Sequence, residues 1–285
     1  MRTLAIQLGR MAILVLLAGV ASALLLRYSP GSMVDERELN PHLSQASVAA
    51  LRAERAAQNG LAAGVVRYFG GLWHGDLGHS SSRNAPIADL VRENFPVTLR
   101  RIGIGLAAAW FVGFGLAIPV ARYRRAWVLD ATTSLLAALL LSVPATVLAY
   151  FCLTAGTAVE SVLVLVLVPR IFRFSRNLLV EAYGMASVDM ARARGVSEST
   201  ILLAYVVRGA APQLIVLAAA SLSMAVGAII PIEAICDAAG LGRLAWQAAT
   251  ARDLLLLVNL TMLIALATTA AMAVSEFASR SEAAA

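Results

Sequence analysis

The residues best suited to chemistry are few, and their spacing excludes more than it offers. Asp189-Met190-Ala191-Arg192-Ala193-Arg194-Gly195 forms a polar run between apolar stretches. Its glycine suits the left-handed C′ position that ends a helix. Ser197 can cap the helix that follows, with Glu198 in its first turn, where the helix dipole favours a carboxylate. On spacing alone this is an ordinary helical hairpin. His42, His74 and His79 are the only histidines. His74 and His79 bracket a Gly-Asp-Leu-Gly turn and could share a metal, but spacing fixes no third ligand, so they read as loop histidines and no metal site is expected. Cys152 and Cys236 fall at the ends of apolar runs, where a disulfide or two small apolar residues would each fit. A phosphate-binding loop needs a lysine that reaches the β and γ phosphates. The chain contains no lysine, so it carries no such loop. A Gly-x-Ser-x-Gly elbow, a His-Glu-x-x-His helix and paired Cys-x-x-Cys motifs are also missing.

The elements that hold these residues belong in a membrane. Of 285 residues, 60% are hydrophobic and 14% charged, where a soluble domain carries about a quarter charged residues. The apolar residues are gathered into long runs. No Asp, Glu, Arg or Lys occurs from Ile102 to Val120, Ala131 to Val159, Gly209 to Ile232 or Leu254 to Ser275. Each run is long enough to cross about 30 Å of hydrocarbon as an α-helix, which satisfies every backbone polar group within the segment. Two shorter spans are expected, one from Met11 to Leu26 between Arg10 and Arg27, the other from after Gly156 to about Phe174. A rival reading makes the N-terminus a signal peptide cleaved after Ala21-Ser22-Ala23. Asp130, Glu160 and Glu233 lie near span ends, where contact with headgroups or water is expected.

The expected fold is therefore an all-α integral membrane protein with about six transmembrane helices and a small helical extracytoplasmic segment after the first. Residues 1–27 form the N-terminal span and 28–101 the extracytoplasmic segment. Residues 102–275 form a five-helix transmembrane core with a cytoplasmic loop at 176–212, and 276–285 a cytoplasmic tail. Within the segment 28–101, Ser44 to Ala63 and Ile87 to Asn94 read as helices, while Ser80-Ser81-Ser82 reads as exposed loop. In the cytoplasmic loop, Leu178 to Arg194 reads as one helix. Arginine sets the orientation. Six spans with the N-terminus inside place Arg122, Arg124, Arg125, Arg170, Arg173 and Arg176 on the cytoplasmic side, with Arg192, Arg194, Arg208 and Arg280. The two short outer loops hold only Arg243 and Arg252. Both termini are then cytoplasmic, and the net charge of +6 reflects this bias. No basic helix with interleaved aromatics points to nucleic acid.

Four stretches resemble the inner-membrane permeases of the dipeptide, oligopeptide and nickel class of ATP-binding-cassette importers. Gly75-Asp76-Leu77-Gly78, with Asn94-Phe95-Pro96-Val97-Thr98-Leu99, is similar to that family's outer-loop pattern. Arg124-Arg125-Ala126-Trp127 with Asp130 resembles its inner turn, and Ser142-Val143-Pro144 its Ser-Val-Pro. Asp189 to Gly195, followed by Arg208 and Pro212, resembles the cytoplasmic coupling loop called the EAA motif. Glu233 with Gly240-Leu241-Gly242-Arg243-Leu244 and Arg252-Asp253 is similar to the family's outer segment between the last two spans.

The resemblance implies a permease subunit, not an enzyme, that forms half of a path for peptides or a similar small solute such as a nickel complex. Its implied partners are a homologous second permease, two cytoplasmic ATPase subunits that hold ATP and Mg, an extracytoplasmic substrate-binding protein and membrane lipid. This chain itself is expected to bind no cofactor. Asp189, Ala191, Arg192, Ala193, Arg194 and Gly195 would form the ATPase-coupling loop, and Glu233, Gly240, Gly242 and Arg243 the outer-segment motif. Ala238-Ala239 stands where the family often has Trp-Pro, and the C-terminus lacks the common Asp-Pro-Arg. Two other classes remain open on the residues alone: an ion-gradient-driven secondary carrier and a membrane assembly or scaffold subunit.

Overall fold

Proline and glycine placement, more than hydropathy, decides where the helices begin, bend and end. The computed structural model describes residues 76–123 and 127–283, together with Gly9, Ile13 and Leu17. The expected span from Met11 to Leu26, apart from Ile13 and Leu17, lies outside the described residues. So do the helix expected over Ser44 to Ala63, His42, His74, Gly75 and Arg124-Arg125-Ala126.

The expected short helix from Ile87 and the span from Ile102 are one helix, α1 (Ile87–Arg122), which runs through Pro96 and Pro119. Pro96 removes the N–H that would bond the carbonyl of Arg92. Arg92 is exposed. The charge-free run from Ala131 to Val159 is not one straight helix. It forms α2 (Trp127–Ser142) and α3 (Ala145–Thr154), bent by 94° at the break between them. Pro144 disfavours helical geometry at Val143 and itself adopts φ −58°, ψ 142°. Its carbonyl then accepts from the N–H of Val147 at 3.0 Å to start α3. Gly156, at φ +66°, ends α3 and α4 (Val159–Tyr183) follows.

This helix outruns its expected end near Phe174 and stops at Gly184. The helix expected over Leu178 to Arg194 is thus two pieces, the end of α4 and a separate α5 (Ala186–Ala193). Next comes α6 (Glu198–Ile235), which carries a π-helical stretch at Ile201–Val207. The last described helices are α7 (Leu241–Thr250) and α8 (Leu254–Ala283). By length and composition, α1, α6 and Leu254–Val274 of α8 can each cross a membrane, and the bent pair α2 and α3 can serve as a fourth span.

Two compact units divide the chain. The larger holds Asn94–Leu244 and the residues from Leu266 onward. In it α4 is the central helix, packed by α6, α2 and α3. Two apolar clusters lie along α4, one around Leu163, Leu167 and Ile229, the other around Phe172, Leu179 and Ile201. Glycines let α1 approach closely. A Cβ on Gly105 would lie 2.7 Å from Leu163 Cδ2, and one on Gly113 3.0 Å from Ile171 Cγ2. Trp110 Nε1 donates to Ser221 Oγ at 2.9 Å, satisfying the one polar atom of that ring. The smaller unit includes residues 76–93 and Ala245–Ala265. Its two-residue strands β1 (His79–Ser80) and β2 (Ala85–Pro86) pair antiparallel, His79 opposite Pro86.

Candidate functional site

The hairpin from α5 to α6 is built as its residue types require. Gly195 adopts φ +73°. Its N–H donates to Arg192 O at 3.0 Å and that of Val196 to Ala191 O at 3.1 Å, the paired closure of a left-handed glycine cap. A Cβ on Gly195 would meet nothing within 4 Å, so the demand for glycine is conformational rather than steric. Ser197 Oγ accepts from the N–H of Thr200 at 3.3 Å and caps α6. Arg192 Nε donates to Glu198 Oε1 at 2.9 Å, bridging the two helices across the turn. Arg122 Nε lies 4.0 Å from the same carboxylate. The hairpin is thereby tied to the last turn of α1.

Its faces are sharply divided. Asp189, Met190, Ala193 and Arg194 are exposed, whereas Val188 and Ala191 are buried in the cluster around Leu179. A small side chain at Ala191 therefore serves the packing of this chain itself. Asp189 pairs loosely with Arg192 at 3.5 Å.

A second constellation surrounds Glu233, near the end of α6. Contact with headgroups or water does not hold for this residue: its side chain is fully buried, at 0% exposure. A buried carboxylate must have its charge paired and its lone pairs filled. Thr98 Oγ1 donates to it, 3.0 Å from both oxygens. Arg101 Nη1 donates at 3.1 Å and the N–H of Gly242 at 2.9 Å. Thr98 Oγ1 in turn accepts the N–H of Leu241 at 2.9 Å, and Arg101 also donates to Ala239 O. The spacing Gly240-x-Gly242 follows from this crowding. A Cβ on Gly240 would lie 2.3 Å from the Glu233 carboxylate, and one on Gly242 2.2 Å from Ile230 O. Glu233 thus clamps the start of α7 onto α1.

Glu160 and Asp130 are partnered as well. Glu160 Oε1 lies 3.7 Å from Arg101 Nε, and Asp130 takes both Nε, at 2.9 Å, and Nη2 of Arg176. Arg243 stays outside the clamp, donating to Asp237 O at 3.2 Å. The sequence reading missed Arg101. Its position three residues after Thr98, on the same helical face, was the available signal.

The third constellation belongs to the smaller unit, where Asp253 precedes α8. Its Oδ2 accepts from Ser80 Oγ at 2.6 Å, Ser82 Oγ at 2.8 Å and Ser82 N at 3.0 Å. Its Oδ1 accepts the N–H of Leu256 at 3.2 Å, an N-cap. Burial pushes the carboxyl up, but these donors, Ser80 foremost, hold it below the usual carboxylate range. Asn259 Nδ2 donates to Leu77 O at 3.1 Å. A Cβ on Gly78 would lie 2.6 Å from Leu255 Cδ2. Leu77, Gly78 and the two serines are therefore docked against Asp253 and the start of α8. Ser80, expected in exposed loop, is 1% exposed. Cys152 and Cys236 are free, half-buried thiols.

Helices of membrane-spanning length, broken by prolines and joined by a capped hairpin, define a multi-span all-α membrane protein. The chain belongs to the family of binding-protein-dependent transport system inner membrane components, whose model matches residues 112–280, more than half its length. It is similar to a protein of Brucella suis biovar 1 named as a peptide permease, 28% identical over 271 residues and 84% of each chain. A protein of Brucella abortus named as a peptide transport system permease is 27% identical over 237 residues, 74% of this chain and 75% of that one. The glutathione transport system permease GsiC of Salmonella paratyphi A is 25% identical over 241 residues, 75% of each. Among solved structures, a chain of the inward-facing MetNI methionine ABC transporter matches at TM-score 0.48 and 23% identity, over 63% of this chain and 95% of that one.

Proposed function

We propose that this chain is the permease subunit of an ATP-binding-cassette importer, and that it carries peptides or similar small solutes through a path shared with a second, homologous permease. Membership of the binding-protein-dependent family supports the class of activity. The names of the Brucella and Salmonella relatives support the solute class. With no lysine in the chain, hydrolysis falls to two separate ATPase subunits that bind ATP and Mg, and a substrate-binding protein delivers the solute. The chain sits in the inner membrane with both termini cytoplasmic and residues 28–101 outside, an orientation that the arginine placement in the short loops supports.

The observation that carries this reading is the hairpin from α5 to α6, with one side packed on this chain and the other exposed. Its turn is closed by Gly195, its two helices are bridged by Arg192 and Glu198, and its exposed side presents Asp189, Met190, Ala193 and Arg194. Such a projection can transmit motion from a soluble motor because it is tied to both α1 and α6. Arg192 acts as the internal brace, and Ala191 as the packing contact that seats it.

Exchanging Ala193 for tryptophan tests the assignment, because Ala193 is exposed and its bulk meets only a partner. The expected result is normal insertion with loss of ATPase co-purification and of uptake, while His42→Ala has neither effect. Assembly and uptake at wild-type rates in Ala193→Trp would make the hairpin a mere connector.

A further inference from the structure

Only two cysteines occur in the chain, and the fold brings them from two helices to one place. Cys152 lies in the last turn of α3, and Cys236 is the first residue past α6. The two helices pack against each other, and both cysteines lie against the apolar cluster around Leu163 and Ile229. Cys236 Sγ donates to Ala149 O at 3.8 Å. Cys152 stands three residues after Ala149, on the same helical face and about 4.5 Å further along the axis. That step is within the Cα separation of about 4.4–6.8 Å that a disulfide bridges. The two thiols are close enough to act on each other electrostatically, and Arg101 acts on Cys236 as well.

The surroundings of the pair suit stepwise oxidation. In the orientation proposed above, the ends of α3 and α6 face the extracytoplasmic side, where disulfides form and persist. Residues 153–158, which follow Cys152, are all exposed, so an oxidant reaches Cys152 from that loop. Burial, with Cys152 adding to it, pushes the Cys236 thiol up, and the charge of Arg101 draws it back. A buried thiol of this kind is a slow first nucleophile. It serves well in a second, intramolecular step, where proximity takes the place of concentration.

We propose that Cys152 and Cys236 form a disulfide on the extracytoplasmic side, which staples the end of α3 to the turn after α6. Cys152, as its thiolate, attacks one sulfur of an external disulfide, whose S–S bond breaks and expels a thiolate. Cys236, as its thiolate, then attacks the Cys152 sulfur, forms the Cys152–Cys236 bond and expels the second external thiolate. The chain's two thiols give up two electrons and two protons, and the external disulfide becomes two thiols. Cys236 stands three residues after Glu233, so the staple and the Glu233 clamp hold the same turn, one to α3 and the other to α1. The inference goes beyond the permease reading and is independent of the solute. It needs only that these two helix ends lie outside.

The full chain in right-side-out membrane vesicles tests this without any transport assay. Reduction with dithiothreitol is followed by oxidised glutathione or the smaller oxidant diamide, then by alkylation of the remaining thiols and peptide mass spectrometry. The expected result is a peptide pair linked through Cys152 and Cys236 and protected from alkylation. The thermal midpoint of the solubilised chain should rise by several degrees on oxidation, because the bond closes a long loop. Cys152→Ala and Cys236→Ala should show neither the link nor the rise. Failure of both oxidants to join the thiols overturns the inference, and so does a link that leaves the midpoint unchanged. Linkage by oxidised glutathione in inverted vesicles alone also overturns it, because the pair then faces the cytoplasm. The result is distinguishable from the permease reading. A linked chain that binds no ATPase subunits refutes the permease and leaves the staple standing, whereas normal uptake by a chain that never links refutes only the staple.

Discussion

Glu233 shows how much one buried side chain can organise. Its carboxylate collects donors from Thr98, Arg101 and Gly242, which belong to α1 and α7. Replacing it by alanine strands the Arg101 guanidinium, and breaking a buried pair from one side costs about 3–5 kcal/mol. Glu233→Ala should therefore lower the thermal midpoint of the detergent-solubilised protein sharply, and Glu233→Gln, which keeps most of the hydrogen-bond geometry, should lower it less. Equal midpoints for the two variants would mean that charge and donors at this site are immaterial. Asp253 offers a pH test of the same kind. Its carboxyl is held below the usual range by Ser80, Ser82 and Leu256, against burial. A lowered value means that its stabilisation is complete above the unfolded-state value of about 3.9 and is lost as pH falls through the folded one. Hydrogen-exchange protection of residues 78–86 should thus hold from neutral pH down to the carboxylate range and fall below it, and Asp253→Asn should be weakly protected throughout. Protection that is independent of pH in the wild type, or intact in the variant, would contradict the assignment.

Among the elements, the hairpin from α5 to α6 depends on backbone geometry. Gly195 sits at φ +73° with open space around its Cβ position, so a β-branched residue there adds roughly 1–2 kcal/mol of local strain without a clash. Gly195→Val should leave the chain inserted but shift the turn, and ATPase binding to the complex should weaken by about tenfold, the equivalent of about 1.4 kcal/mol. Gly195→Asn, which tolerates the left-handed region, should bind close to normally. Equal binding by all three proteins would remove the left-handed turn from the account. This hairpin was legible in the sequence because its signals are local: a glycine at C′, a serine cap and an acidic first turn. The charge-free runs likewise announced α1, α6 and α8. What the runs could not show is where a helix bends. The stretch from Ala131 to Val159 reads as one span by hydropathy, yet Pro144 breaks it, and Pro96 does not break α1. Nor could one sequence show which residues meet. Thr98, Arg101 and Gly242 reach Glu233 only through tertiary packing, and Ser80 looked like exposed loop until Asp253 was found beneath it.

At the scale of the whole molecule, the orientation proposed from arginine placement can be read with single cysteines. Ser80 is too buried to report it, but Ser81 is exposed on the same turn. Ser81→Cys should react with an impermeant reagent applied outside intact cells, and Arg194→Cys only after the inner face is opened. The reverse pattern would invert the topology. The larger claim is that this chain moves solute only as one subunit of an ATP-driven assembly. Reconstitution in proteoliposomes tests it most directly, comparing the lone chain with the chain plus its homologous permease, its ATPase subunits and a substrate-binding protein, with peptide uptake and phosphate release followed together. Uptake that requires ATP and every subunit, with neither uptake nor phosphate release from the lone chain, is the predicted result. Uptake by the lone chain under a proton gradient would contradict the account and make it an ion-driven carrier.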